Sequence, residues 1–143
     1  LCLALQEENV MFSGDHVMGW STSVISPPDG HMGDYLASLK KLTTREEVRY
    51  WPTHGPAIEN PRPFVHAFIN HREKREAQIS GCLAAGRTNI TDIVKDLYAG
   101  VDSRLHRAAA RSVLAHLIHM VESGRAKCAG LPHIDGIYHS LKS

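Results

Sequence analysis

The chain contains 143 residues, of which 43% are hydrophobic, 22% charged and 6% aromatic. This length suits one domain, or one domain with a small appendage, and the composition excludes collagen, low-complexity disorder and a coiled-coil rod. Sixteen basic and fifteen acidic residues give a formal net charge of +1. No strong overall field therefore attracts nucleic acid or a membrane surface.

The first half of the chain predicts short strands around one helix. The segments Leu1 to Leu5 and Asn9 to Ser13 are mainly apolar and flank a polar turn. This pattern predicts an antiparallel hairpin. The glycine and proline residues of 16–31 predict a long irregular loop. Apolar residues at helical spacing predict a helix from Met32 to Leu42, and the apolar residues of 48–51 predict a strand that Pro52 ends.

A long helix is predicted to follow. Asn60 and Pro61 are typical of a helix start, and apolar residues recur at helical spacing as far as Leu83. Residues 71–76 are all histidine or charged residues. This run predicts a solvated face stabilised by pairs of opposite charge one helical turn apart.

The last third of the chain predicts two further helices and a hairpin. Residues 88–92 begin a helix that ends at Gly100, and a second helix runs from Leu105 to Ser123 with Gly124 at its C-terminal end. In this second helix His116 and His119 are predicted to face solvent. The predicted inward face consists of Ala109, Val113, Leu114, Leu117, Ile118 and Val121.

Segments 125–131 and 136–141 read as a small hairpin. Together with the two helices and the end of the long helix, the hairpin makes a winged-helix arrangement. We therefore predict two regions, residues 1–77 and residues 78–143, with the long helix as the bridge.

The cysteines and the apolar segments indicate the compartment. Cys2, Cys82 and Cys128 are odd in number and widely separated, which disfavours a disulfide framework and a zinc knuckle. Three reduced thiols predict a cytoplasmic location. No stretch approaches the roughly 20 apolar residues of a membrane span, and the run 1–5 does not fit a signal peptide. We expect no membrane association.

Two residues qualify as metal ligands by type and position. Asp15 follows the second predicted strand and His54 follows the third. Carboxylate oxygen and neutral imidazole nitrogen both suit zinc, and strand ends give rigid mounts for residues on loops. Taken alone, each residue is more often structural, because aspartate after Ser-Gly commonly forms turns and a lone histidine before Gly-Pro commonly supports one.

The local motifs change that balance. Ser13-Gly14-Asp15 precedes a glycine-containing loop, a helix, a strand and then Thr53-His54-Gly55-Pro56. Further on come Ile58-Glu59-Asn60-Pro61, His71-Arg72, Arg75-Glu76-x-Gln78-Ile79 and the winged-helix tail. In this combination the chain resembles the β-lactamase-like proteins, hydrolases of the metallo-β-lactamase superfamily, over essentially its whole length.

The resemblance implies an α+β fold and a metal-dependent chemistry. Residues 1–77 would form the C-terminal half of the αββα sandwich of that superfamily, and residues 78–143 a winged-helix-like domain. In the superfamily two metal ions, usually zinc, share one site, and Asp15 would bridge both ions while His54 would bind the second. Such ions activate water for attack on a carbonyl or phosphorus centre. Esters, thioesters, lactam-like rings and RNA phosphodiesters are the substrates that the resemblance permits.

The chain also departs from the family pattern. The family's first metal-binding motif, His-x-His-x-Asp-His, and its single histidine ligand do not occur in these 143 residues. Two ligands remain where a catalytic zinc needs at least three. We therefore expect a C-terminal fragment of a longer zinc hydrolase, inactive alone, with an incomplete metal site and no further catalytic residue of its own.

Two alternatives remain open. Arg104, His106, Arg107 and Arg111 cluster early in the helix that reads DNA in winged-helix proteins, so a nucleic-acid-binding module is the alternative function. Acidic residues of the same region, such as Asp92 and Asp102, offset part of this charge. The truncated sheet also predicts an exposed edge through which two chains could form a dimer.

Overall fold

A computed structural model describes residues 1–141 of the chain. The chain separates into two compact units. The N-terminal unit contains Leu1–Val24 and Leu36–His71, and the C-terminal unit contains Ile25–Tyr35 and the chain from Arg72 onward. The domain boundary between residues 77 and 78 stays a prediction.

The N-terminal unit contains a four-stranded sheet of order β1-β2-β3-β4. Its strands are β1 (Leu3–Leu5), β2 (Val10–Gly14), β3 (Arg49–Pro52) and β4 (Ile58–Glu59). β1 pairs antiparallel with β2, as the predicted hairpin requires, and β2 runs parallel to β3. β4 pairs antiparallel with β3 and was not predicted, because two residues are too few to show alternation.

The two faces of this sheet differ in exposure. Met11, Tyr50 and Ile58 are partners across β2, β3 and β4, and all three are buried. On the opposite face Leu3, Phe12 and Trp51 are partners across β1, β2 and β3, and all three are exposed. Cross-strand partners share a face, so the second set forms a continuous apolar row. We call Leu3, Phe12 and Trp51 the exposed row.

Two helices follow these strands in the sequence. Helix α1 (Met32–Leu42) has the predicted bounds, and its buried residues recur at helical spacing. Helix α2 (Pro61–Ala84) begins at the predicted residue. Asn60 before it has a φ of 51°, a left-handed conformation that asparagine adopts more readily than most residues. Across residues 1–141, no helix combines the length and apolar character that crossing a bilayer requires.

The C-terminal unit has the predicted order of two further helices and a hairpin. These are α3 (Ile90–Leu97), a short 3-10 helix (Ser103–Leu105), α4 (His106–Glu122), β5 (Ala126–Cys128) and β6 (Tyr138–Ser140). The side chain of Asn89 accepts a hydrogen bond from Asp92 N at 2.9 Å and so caps α3. The core of this unit joins α2, α3, α4 and the hairpin through residues that include Ile79, Ile93, Val113, Leu117 and Tyr138.

The end of α4 sets the direction of the following strand. Gly124 has a φ of 72°, its amide donates to Val121 O, and Arg125 N donates to Met120 O at 2.8 Å. This pair of bonds is the Schellman arrangement, which favours glycine because of the left-handed backbone. It turns the chain back, so that Arg125 lies beside the last turns of α4.

Candidate metal centre

Asp15 and His54 lie together at one edge of the sheet. Asp15 directly follows β2, and His54 comes shortly after β3 ends at Pro52. Because β2 and β3 are adjacent and parallel, their carboxyl ends meet at the same edge, which is the usual place for ligands in such sheets. Nε2 of His54 lies 3.8 Å from Oδ1 of Asp15.

Both side chains are open to an incoming ligand. The Asp15 side chain is 65% exposed and that of His54 is 58% exposed. The two side chains therefore do not form a buried ion pair, and at these exposures their interaction contributes little to the stability of the fold. A carboxylate and an imidazole that are both exposed and lie 3.8 Å apart are chemically suited to bind a metal ion together.

A bulge at the end of β2 positions Asp15. The register of β2 and β3 shifts between Phe12 and Gly14, so that Ser13 is the extra residue. Gly14 has a φ of 56°, in the left-handed region that favours glycine. Buried Ser13 Oγ donates to Val17 O at 2.8 Å, and Ser23 Oγ donates to the carbonyl oxygen of Asp15. These bonds fix the loop that carries the carboxylate.

The loop after Asp15 is in close contact with the turn that carries His54. Gly19 N donates to His54 O at 3.4 Å. A Cβ added to Gly19 would overlap the carbonyl oxygen of Pro56, and one added to Gly55 would come within 3.3 Å of the Gly19 backbone. Gly55 also has a φ of 90°. Two glycines therefore allow the close backbone approach that holds both candidate ligands in place.

The donor set fits a zinc ion in type but not in number. Carboxylate oxygen and imidazole nitrogen are ordinary zinc ligands, and both are present and exposed. Within residues 1–141, no group of three or more histidine, cysteine, aspartate or glutamate side chains is arranged to hold a metal ion. The described residues thus bring two candidate ligands together, one fewer than the three protein ligands of a catalytic zinc site.

His16 lies next to Asp15 but is a half-buried loop residue. Burial lowers the pKa of its imidazole, and the positive charge of the N-terminus lowers it further. The ring is therefore neutral near pH 7, the form in which imidazole acts as a hydrogen-bond acceptor or a ligand.

A second polar cluster lies in the C-terminal unit, and sequence reasoning missed it. Glu76 on α2 is 4% exposed, yet its Oε1 lies 2.7 Å from His119 Nδ1 and 3.3 Å from His116 Nδ1. Its Oε2 lies 2.6 Å from Nη1 of Arg125. An ionised carboxylate only accepts hydrogen bonds, so both Nδ1 atoms carry the proton in these contacts. We call Glu76, His116, His119 and Arg125 the Glu76 cluster.

The cluster keeps its carboxylate charged. Burial alone would raise the pKa of Glu76, but the hydrogen bonds from His116, His119 and Arg125 outweigh it and lower that pKa to about 2. Burial lowers the pKa of His116, and its bond to Glu76 opposes the shift. The buried charge is thus compensated by three donors rather than by solvent.

Two predictions are wrong at this cluster. Residues 71–76 are not all solvated, because Arg72 and Glu76 are buried. His116 does not face solvent, since it is fully buried, and His119 is only 23% exposed. The reason is the position of the buried stripe of α4, which consists of Ala109, Val113, Ala115, His116, Leu117 and Met120. Ile118 and Val121, predicted inward, are only partly buried.

Comparison with known proteins finds similarity to beta-lactamase-like proteins in both units. Residues 90–131 match the sequence model described as the beta-lactamase associated winged helix domain. The Beta-lactamase-like protein 2 homolog of Drosophila melanogaster is 33% identical over 124 residues, which cover 84% of this chain and 41% of that protein. The Atrochrysone carboxyl ACP thioesterase of Emericella nidulans is 33% identical over 79 residues, covering 55% of this chain and 24% of that enzyme.

Solved structures agree with the sequence matches. A beta-lactamase domain protein from Burkholderia ambifaria superposes with a TM-score of 0.83 at 20% identity, covering 98% of this chain and 44% of the other. The chain thus spans less than half the length of the proteins it matches.

Proposed function

This chain belongs to the metallo-β-lactamase superfamily and matches the β-lactamase-like proteins over part of their length, and from that premise we propose that it supplies two metal ligands to a metal-dependent hydrolase. It has the fold of the C-terminal half of the αββα sandwich, followed by a winged-helix-like domain. In this proposal Asp15 would be a carboxylate ligand shared by two zinc ions, and His54 would be an imidazole ligand of one of them. The remaining ligands come from residues outside these 143.

One observation carries the proposal. Asp15 and His54 come from different strands, approach to 3.8 Å and remain more than half exposed. An exposed pair of this kind contributes little to the stability of the fold, so stability does not explain why the two side chains lie together. A carboxylate and an imidazole that converge and remain accessible are suited to bind a metal ion. The bulge at Ser13 and the contact between Gly19 and Gly55 support the same proposal, because they hold both loops in one geometry.

The chemistry follows from the donor types. When bound, zinc supplies Lewis acidity that activates water and polarises the scissile bond. The role of this chain is to fix the carboxylate and the imidazole before the ions bind, so that less conformational entropy is lost on binding. The neutral ring of His16 beside Asp15 adds no positive charge that would repel the cations.

The exposed row supports the view that the site is shared with another part of a longer protein. Leu3, Phe12 and Trp51 cover one face of the sheet and are exposed in this chain. In a sandwich, a face of this kind packs against the second sheet. We propose that the segment carrying the remaining ligands covers this row.

The substrate class and the location belong to the same proposal. We favour an ester or thioester of a small molecule, in line with the named activity of the thioesterase relative. Cleavage of RNA phosphodiesters and a dimer through the sheet edge stay predictions. Three free and widely separated cysteines support a cytoplasmic location.

The proposal is tested in the longest natural protein that contains this sequence. Bound zinc is measured by elemental analysis, and hydrolysis is measured with a p-nitrophenyl ester and an acyl thioester. Asp15→Asn and His54→Gln are each expected to remove zinc and to lower kcat/KM by at least about 100-fold, since each removes a direct ligand. Asp29→Asn and His66→Gln are the matched controls. Both residues are exposed, and neither is next to Asp15 or His54 in the sequence.

The isolated 143-residue chain provides the second arm. With two ligands, it is expected to hold less than one zinc per chain after dialysis. Two tightly held ions in this chain would contradict the proposal that the site is shared. Full zinc content and full activity in both Asp15→Asn and His54→Gln would remove the assignment of these residues.

A further inference from the structure

A groove in the C-terminal unit has the features of a small-molecule site. It has a volume of about 470 Å³ and lies between the first half of α4, residues 27–28 and the loop 132–134. This volume falls in the range typical of small-ligand pockets, roughly 300 to 1,000 Å³. Its apolar lining consists of Pro27, Pro28, Ala110, Leu114, Pro132 and Ile134.

The walls of the groove are held in place. Ala110 and Leu114 on α4 pack against the core of the unit, so the floor is continuous with the core. On the other side His133 O accepts hydrogen bonds from Tyr138 Oη at 2.7 Å and from Gly136 N at 3.0 Å. Tyr138 is fully buried, which anchors the loop 132–134 to the hairpin. The groove is therefore formed before any ligand binds.

Two arginines give the groove a positive side. Arg107 and Arg111 lie four residues apart on α4, so they project from the same helix face, and both are exposed. Neither forms an ion pair with a carboxylate among residues 1–141. Arg104, one turn earlier, differs from both, because Asp102 holds its guanidinium at 2.6 Å. Two guanidinium groups beside an apolar groove are suited to a planar anion that carries an apolar group.

The charge balance favours one negative charge rather than many. Asp29 and Asp135 adjoin the lining residues in sequence, are exposed, and reduce the local positive charge. A nucleic acid needs a longer row of cations along its phosphates, and more than half of this lining is apolar. We propose that this groove binds an amphiphilic carboxylate, with the carboxylate at Arg107 and Arg111 and the acyl chain or ring between Leu114 and Ile134. The site uses residues of the C-terminal unit only and does not depend on the proposed metal centre.

Calorimetric titration of the 143-residue chain with decanoate tests this proposal. Decanoate is expected to bind one site with a Kd below about 1 mM, and decanol, which lacks the charge, at least about 10-fold more weakly. Arg107→Gln and Arg111→Gln are each expected to weaken decanoate binding about 10-fold. Ile134→Glu places a like charge in the groove and is expected to abolish binding. Lys127→Gln, an exposed cation on β5, is the matched control and is expected to bind as the parent chain does.

Four outcomes would overturn the proposal. The first is no decanoate binding to the parent chain, with circular dichroism showing it folded. The second is unchanged binding in both arginine variants. The third is binding of a 20-nucleotide RNA that requires Arg107 and Arg111 and that decanoate does not displace, which would make this face a nucleic-acid interface. The fourth is stronger binding of octyl phosphate than of decanoate, which would make a phosphate and not a carboxylate the recognised group.

Discussion

Nδ1 of His119 on α4 lies 2.7 Å from Oε1 of Glu76 on α2, although the two residues are 43 positions apart in the chain. The same carboxylate also contacts His116 and Arg125, so α2, α4 and the start of the hairpin meet at one buried charge. The Schellman turn at Gly124 makes this possible, because it returns Arg125 to the end of α4. The Glu76 cluster is thus a polar contact that joins three elements of the C-terminal unit.

Replacing Glu76 tests whether the cluster holds these elements together. Glu76→Ala leaves three donors without their acceptor and is expected to lower the free energy of unfolding by about 3 kcal/mol, as for other broken buried ion pairs. Glu73→Ala removes an exposed glutamate one turn earlier on the same helix and is expected to change it by less than about 0.5 kcal/mol. Urea unfolding followed by circular dichroism measures both. Equal stability of the two variants would contradict this role.

The pH dependence of stability provides a test of His116. Because burial lowers the pKa of folded His116 below its ordinary value of 6.5, the unfolded chain takes up a proton near that pH that the folded chain does not. The free energy of unfolding therefore falls as the pH decreases from about 7 to 5. His116→Gln removes this proton uptake, so its stability is expected to depend less on pH over that range.

Urea unfolding at several pH values measures the difference between the parent chain and His116→Gln. His66→Gln, an exposed histidine on α2, is the control and is expected to keep the slope of the parent chain. The same slope in all three proteins would show that His116 titrates alike in the folded and unfolded states.

The close contact of Gly19 with the turn at Pro56 predicts a sensitive position. In Gly19→Ala the new methyl group overlaps the Pro56 carbonyl, so the loop or the turn must move. We expect a loss of about 2 kcal/mol, typical of overpacking, together with shifted NMR signals of the His54 ring. Gly100→Ala is the control, since a Cβ there meets no atom within 4 Å. Equal effects of the two substitutions would contradict the contact.

Two glycines near the end of α2 allow the effect of backbone conformation on stability to be measured without a steric clash. A Cβ at Gly81 or at Gly86 meets nothing within 4 Å, but Gly81 lies inside the helix whereas Gly86 has a φ of 85°. Gly81→Ala is expected to stabilise the chain by about 0.5 to 1 kcal/mol because alanine favours the helix. Gly86→Ala is expected to destabilise it by about 1 kcal/mol because of the left-handed backbone. Thermal unfolding measures both, and the same sign for both would contradict the assignment.

The sequence predicts well those parts that depend on local pattern. The periodicity of Tyr35, Leu36 and Leu39 identifies α1 with its observed bounds, and Pro61 marks the start of α2. The matches to known proteins confirm the fold class and the family resemblance. Both could be predicted because several motifs occur in the family's order along the chain. The metal roles of Asp15 and His54 stay a proposal, although the structure does bring the two side chains together.

The errors arise where a partner lies far away in sequence. Glu76 belongs to a charged run that resembles a solvated face, and only residues about forty positions later make it a buried acceptor. His116 was predicted outward because it was placed beside the apolar stripe of its helix, yet it is buried on the same stripe as Ala109 and Val113. A histidine in register with an apolar stripe, opposite a carboxylate on another helix, is the signal that could have revealed both.

The exposed row has a consequence for handling this chain in solution. Leu3, Phe12 and Trp51 present apolar surface to water, and apolar burial becomes more favourable on warming from the cold and in salts such as ammonium sulfate. We therefore expect this exposed face of the sheet to contribute to the self-association of the chain. The turbidity of the solution is expected to rise with temperature and with sulfate concentration. Trp51→Ser is expected to shift the onset of turbidity to a higher temperature or sulfate concentration, while the buried face of the sheet stays intact.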